Sequence, residues 1–260
     1  MTSGKAARRK RQVPPPPVRS TGGGRRASNR VLIFAGIGLL CVAAAIGIVF
    51  AFTGGSSSDS ATPATLPDAG VVNAQFAGIP QNDNVLGAAK APVTMVQYID
   101  LQCPVCRAFE TEVMPTILRR YVRTGKVKVV TRPIAFIGPD SETGLRGSLA
   151  IAEQDRMAEF NQLLYFNQGA ENGGWLNDEM VQSAAASIPG VDLDAFNQAR
   201  DSSAVADRQK EFAQDADADG VTGTPSIYVG KSGSNTLTPV SPASLPTVAQ
   251  VSAAIEKALG

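Results

Sequence analysis

Val93-Thr94-Met95-Val96-Gln97-Tyr98-Ile99-Asp100-Leu101-Gln102-Cys103-Pro104-Val105-Cys106-Arg107-Ala108-Phe109 decides how the rest of the chain is read. The apolar run from Val93 to Leu101 predicts a short buried strand. It stops at two cysteines spaced Cys-x-x-Cys. Beyond them Phe109, Val113, Ile117 and Tyr121 recur every four residues, the spacing of a helix. The pair therefore sits where a strand turns into the first turn of a helix. There, unpaired N–H groups and roughly half a positive charge favour a thiolate over a thiol. A free cysteine titrates near about pH 8.5, and one so placed can fall to about 3.5–7.5. Cys103, nearest the exposed end, is read as the attacking thiol. Cys106, one turn inward, is read as the resolving thiol. Pro104 suits an early helical position, where its missing N–H costs nothing.

Other uses of a cysteine pair fit less well. Structural zinc takes four ligands, but the chain has no histidine and its third cysteine, Cys41, lies far upstream in an apolar run. No metal site is expected. A purely structural disulfide would close a very short ring and, by loop entropy, stabilise little. Redox work is the favoured reading.

Charge is segregated along the 260 residues. Residues 1–30 carry nine Lys or Arg and no acid, whereas the remaining 15 basic and 23 acidic residues give the rest of the chain a net charge of −8. Between these parts Val31 to Phe52 are 22 residues without a charge, about 33 Å as helix against a hydrocarbon core of about 30 Å. This predicts a transmembrane helix over 31–52, preceded by a basic disordered cytoplasmic tail over 1–30. The positive-inside rule places the catalytic part outside the membrane. A cleaved signal peptide is the rival, but its apolar region runs to only about 7–15 residues. The basic tail is explained by topology, so no nucleic-acid partner is expected. Residues 53–83 read as a flexible extracytoplasmic linker, rich at first in Gly, Ser, Thr and Pro, with an edge strand at Val71-Val72 or Gln75–Ile79. Outside the cytoplasm disulfides persist, and one cysteine pair there fits a catalyst better than a disulfide-rich scaffold.

Further on, Lys126 to Ile137 reads as a second strand, alternating over its first six residues. Residues 140–219 are helical in pattern. Asp215-Ala216-Asp217-Ala218-Asp219-Gly220 resembles the start of a calcium loop, but its twelfth position is Ser226 where the loop needs Glu. A solvated helix end is explanation enough. Gly220-Val221-Thr222-Gly223-Thr224-Pro225-Ser226-Ile227-Tyr228-Val229 leads turn residues into a strand that opens with proline, a position sheets tolerate. Thr236 to Val240 can pair back, and Pro246 to Leu259 closes the chain as a helix.

Taken together, the strand–Cys103-Pro104-Val105-Cys106–helix and the distant Gly223-Thr224-Pro225–strand resemble the thioredoxin superfamily, and the long helical insert resembles its DsbA-like branch, over about residues 84–260. The resemblance implies an α/β, thioredoxin-like fold of four or five strands with an inserted helical subdomain (about 140–219), here preceded by a single transmembrane helix. It also implies a cis Thr224–Pro225 peptide facing the cysteines, where the Thr224 backbone is left free to pair with an extended substrate. Many relatives carry an acid on the strand before the cysteines; here that position is Gln97, with Asp100 nearby. Strongly oxidising relatives often carry histidine between the cysteines; here the dipeptide is Pro104-Val105, which predicts a milder oxidant.

The function expected is a membrane-anchored thiol–disulfide oxidoreductase. It would introduce disulfides into exported proteins through a mixed disulfide at Cys103, without metal or organic cofactor. Family resemblance implies reoxidation by a quinone-linked membrane partner. The alternatives are a reductase or isomerase using the same pair, and a non-catalytic chaperone or interaction module.

Overall fold

The structure, a computed structural model, describes residues 64–240 and 245–260. The basic tail, the apolar run 31–52 with Cys41, and the first part of the linker lie outside the described residues. Among the described residues, no helix is long and apolar enough to cross a membrane.

The architecture grows from β3 (Val93–Ile99), buried at six of its seven positions. A strand covered on both faces needs apolar residues without alternation, which is why this segment reads as a continuous run. Its parallel neighbour β4 (Val127–Pro133) buries every second residue. β5 (Ser226–Lys231) flanks β3 antiparallel on the other side. Short strands complete the edges: β1 (Gln81–Asn82) and β2 (Val85–Leu86) beyond β4, and β6 (Thr238–Pro239) beyond β5. Among the described residues the sheet therefore has six strands in the order β1-β2-β4-β3-β5-β6, not four or five. The additions are two-residue strands, too short to leave a periodic signal.

The linker expected over 53–83 is corrected at its end. Residues Ala69–Phe76 form helix α1, and Ala69, Val72 and Phe76 join the core. Val71-Val72 and Gln75–Phe76 are thus helical rather than an edge strand. The apolar residues at 69, 72 and 76 lie on one helical face, and Gly78 at φ 75 turns the chain into β1.

Helix α2 (104–122) follows the cysteines as one run in which α segments Pro104–Ala108 and Met114–Ile117 alternate with π turns Phe109–Val113 and Leu118–Val122. The helical insertion lies between β4 and β5 and consists, among the described residues, of α3 (Pro139–Ala152), α4 (Met157–Phe166), α5 (Asp178–Ala186), α6 (Leu193–Arg200) and α7 (Ser203–Ala218). Gly147 lets α3 pack closely: a Cβ there would lie 2.8 Å from Val181 and 2.9 Å from Phe160. The chain closes with α8 (Val248–Leu259), whose N-terminus carries a Thr247–Gln250 capping box. The second strand stops at Pro133, because residues 134–138 bend over the turn before the cysteines.

Candidate active site

Cys103 is the N-cap of α2, and Pro104 and Val105 form its first turn. The Cys103 sulfur accepts from the Cys106 backbone N–H at 3.4 Å and donates to the Thr224 carbonyl at 3.2 Å. The Thr224–Pro225 peptide is cis. The two motifs, 121 residues apart, thus meet at one sulfur. Cys103 retains 5 % of its surface and Cys106 none, while Val105 is well exposed. Cys103 is less exposed than its place at the helix end predicts, because the Thr224 loop leans over it.

The two thiols are electrostatically unlike. Cys103 is lowered to about 6, chiefly by its hydrogen bond with the Cys106 thiol, with further help from the Thr224 side chain and the N–H groups of Cys106 and Val105; burial works against this. Cys106 is pushed up by burial, then by the neighbouring Cys103 sulfur. At neutral pH the pair is therefore one thiolate and one thiol.

Asp100 and Gln97 divide differently from the family pattern. Asp100 is fully buried and accepts from the backbone N–H groups of Gln102, Phe136 and Ile137 and from the Ser141 hydroxyl, at 2.7–2.9 Å. It is a staple that ties the cysteine turn to the chain after β4. Gln97 is buried beneath α2 and donates to Glu110 Oε1 at 2.9 Å and to the Thr131 hydroxyl at 3.0 Å. A second buried acid, Glu110, lies one turn beyond Cys106 on the same helix, with burial raising its carboxyl to about 7 against a smaller lowering by Gln97. Gln97, Glu110, Thr131 and Asn161 help line a cavity of about 20 Å³, the size of a single water. Sequence reading missed Glu110. Its spacing from Cys106 is visible, but acids on helices are ordinarily solvent-facing.

The insertion also reaches the site. Tyr165 donates to the Asp100 carbonyl at 3.1 Å, and Gln168 donates to the carbonyls of Leu101 and Cys103 at 2.9 and 3.2 Å. Gln102 accepts from the Asn172 N–H at 2.6 Å and donates to Ser141 and Asn172 side-chain oxygens. Gly138 leaves room for Asn172, which a Cβ there would strike. Among the described residues no cluster of His, Cys, Asp or Glu is arranged to hold a metal.

These features define a dithiol site at a helix N-terminus, opposed by a cis-proline loop on a mixed sheet. A family model described as thioredoxin matches residues 80–256, and the chain belongs to the thioredoxin family. Within it the chain is a DsbA-like protein disulfide oxidoreductase. Probable disulfide bond formation protein D of Bacillus cereus is 31% identical over 147 residues, covering 55% of this chain and 68% of that protein. Disulfide bond formation protein D of Bacillus subtilis is 24% identical over 147 residues, covering 56% and 66%. Na(+)/H(+) antiporter NhaA 3 of Salinispora tropica is 30% identical over 170 residues, covering 62% of this chain and only 23% of that protein. Among solved structures, oxidised BdbD from Bacillus subtilis superposes with a TM-score of 0.60 at 22% identity, covering 70% of this chain and 97% of that one. This last likeness shows the fold alone.

Proposed function

We propose that the protein donates disulfides to reduced exported proteins through Cys103 and Cys106. The observation that carries this reading is the unequal pair, a thiolate-favouring Cys103 touching the Thr224 loop and a buried thiol at Cys106. In the oxidised enzyme a substrate thiolate attacks Cys103, the Cys103–Cys106 bond breaks, and Cys106 leaves with the electron pair. Glu110, with its carboxyl near 7, supplies a proton to that leaving thiolate. A second substrate thiolate then attacks the substrate sulfur of the mixed disulfide and releases Cys103 as a thiolate. The substrate loses two electrons, and a quinone-linked membrane oxidase removes them from the enzyme. The Thr224 backbone would hold the substrate segment extended beside Cys103.

Anchoring by residues 31–52 with the catalytic domain outside the membrane completes the proposal, supported by the basic flank and the apolar run. A related domain within a much longer chain named as an antiporter is compatible with work on a tether. The second reading is a reductase or isomerase, favoured by the Pro104-Val105 dipeptide, which brings no cationic donor to Cys103.

The reduction potential of the full chain, equilibrated with glutathione and trapped by thiol alkylation, separates the two. A value above about −180 mV supports disulfide donation, and one below about −250 mV supports the reductase.

A further inference from the structure

The acidic run at the end of α7 has no part in the redox chemistry. Asp215 and Asp219 are four residues apart and share one helix face. That face meets the sheet at the C-terminal ends of β3 and β4. Arg132 approaches Asp215 Oδ2 at 3.1 Å and Asp219 Oδ2 at 3.5 Å. Tyr98 donates its hydroxyl to Asp219 Oδ2 at 2.6 Å and accepts from Arg132 Nη1 at 2.5 Å. The guanidinium carbon lies 5.5 Å from the Tyr98 ring centroid. Tyr228 on β5 stacks edge-on to Tyr98 at 6.0 Å and donates to the Asp219 carbonyl at 3.0 Å. Side chains from three adjacent strands thus grip one helix end. The grip is electrostatically sound, because a helix C-terminus carries partial negative charge and the two carboxylates add to it.

This grip adjoins the site. Asp219 is the C-cap of α7, and only Gly220 to Gly223 separate it from Thr224. Those residues include two glycines, and the segment is held by few bonds of its own: Gly220 N–H to the Asp217 carbonyl at 3.2 Å, Val221 N–H to the Ala216 carbonyl at 2.8 Å, and the Ser226 hydroxyl to the Gly223 carbonyl at 2.7 Å. Thr224 is therefore fixed by β5 on one side and by Asp219 on the other.

We propose that Arg132, Tyr98, Asp215 and Asp219 are positioning residues that hold the 220–225 loop against Cys103, so that the Thr224 backbone meets the substrate already ordered. The proposal rests on the redox reading above. None of the four touches a sulfur; they act through Thr224. A loop ordered beforehand avoids an ordering cost on binding, so the effect belongs in substrate half-saturation rather than in the rate of exchange. Because Arg132, Asp215 and Asp219 keep 26%, 35% and 45% side-chain exposure, the grip is open to screening by salt.

The test uses the oxidised full chain and a single-turnover oxidation of an uncharged dithiol peptide at low and high salt. In the wild type the half-saturating concentration should rise with salt while the maximal rate stays nearly constant. Arg132→Gln and Tyr98→Phe should each raise it at least about threefold at low salt. Arg132→Gln should also lose the salt dependence, and Arg132→Lys should recover part of the wild-type value. Folded variants with wild-type half-saturation would overturn the proposal, as would a fall confined to the maximal rate. Hydrogen exchange at residues 220–224 of the same proteins keeps the two readings apart. A wild type that oxidises nothing sinks the redox reading, and loop protection unchanged between wild type and Arg132→Gln sinks the grip.

Discussion

Cys103 and Cys106 are identical side chains that the fold makes unequal, and the inequality can be measured. Alkylation of the reduced protein should follow a single titration with a midpoint near pH 6, the value to which Cys103 is lowered, while Cys106 stays unreactive in the native state. Cys103→Ser should abolish thiol oxidation, whereas Cys106→Ser, whose Cys103 thiolate can attack a disulfide-bearing peptide but has no second thiol to resolve the product, should accumulate a mixed disulfide with that peptide, visible on a non-reducing gel. A binding module would tolerate both changes. Glu110 makes a second prediction at this scale. Its folded pKa of about 7 lies above the ordinary 4.5, so the unfolded chain releases the proton first. Stability is then complete below about pH 4 and falls as pH rises through 7, by roughly 3 kcal/mol. Glu110→Gln keeps an acceptor for Gln97 and removes the charge. It should therefore melt higher than wild type at pH 8 and near the wild-type value at pH 4, and equal gains at both pH values would refute the buried-charge account.

Among the elements, those that bury one continuous face were legible. The mainly apolar run, interrupted at Thr94 and Gln97, marked β3, the four-residue spacing marked α2, and alternation marked the first part of β4. The helical insertion was visible as a block from its 3.6-residue pattern. What stayed hidden depends on contacts distant in sequence. Residues 69–76 make only about two helical turns, and Val71 is exposed away from the face formed by Ala69, Val72 and Phe76, so no clean stripe announces α1 before the partner helix α4 is known. In sequence Asp100 stands only as an acid near the Gln97 position, whereas four donors brought in by residues 102, 136, 137 and 141 make it a structural staple. Glu110 was hidden because sequence does not show which acids turn inward, and the Asp215–Asp219 pair because its partners, Tyr98 and Arg132, lie far away in sequence. The staple gives this scale its prediction. Asp100→Ala strands several buried donors at once, and should lower the urea-derived stability by about 3–5 kcal/mol. Asp100→Asn retains one acceptor oxygen and should lose less. A loss under about 1 kcal/mol for the alanine variant would mean that the cysteine turn is held by other contacts, such as those from Gln168 and Tyr165.

In the whole molecule, folding and redox state are linked, because the lowered thiolate exists only when the protein is both folded and reduced. A group whose folded pKa is depressed contributes stability above its unfolded pKa and loses it as pH falls through the folded value. For Cys103 that window runs from about pH 8.5 down to about pH 6. Oxidised protein has no Cys103 thiolate and so lacks this contribution, while Glu110 titrates in both forms and largely cancels from their difference. The short disulfide ring adds an offset of its own, constant with pH. The prediction therefore concerns a slope rather than a sign. Between about pH 6.5 and pH 8 the reduced form should gain on the oxidised form by roughly 1 kcal/mol per pH unit, or about 2–4 °C in the difference of melting temperatures for a domain of this size. Below pH 5.5 the difference should level off. Cys106, raised by burial, enters with the opposite sign only once an unfolded thiol would ionise, and should bend the trend downward above about pH 8.5. Melting curves of both forms across that range measure all three segments. A flat difference would remove the thiolate as the source of oxidising strength, and with it the physical reason for electrons to flow from substrate to this protein.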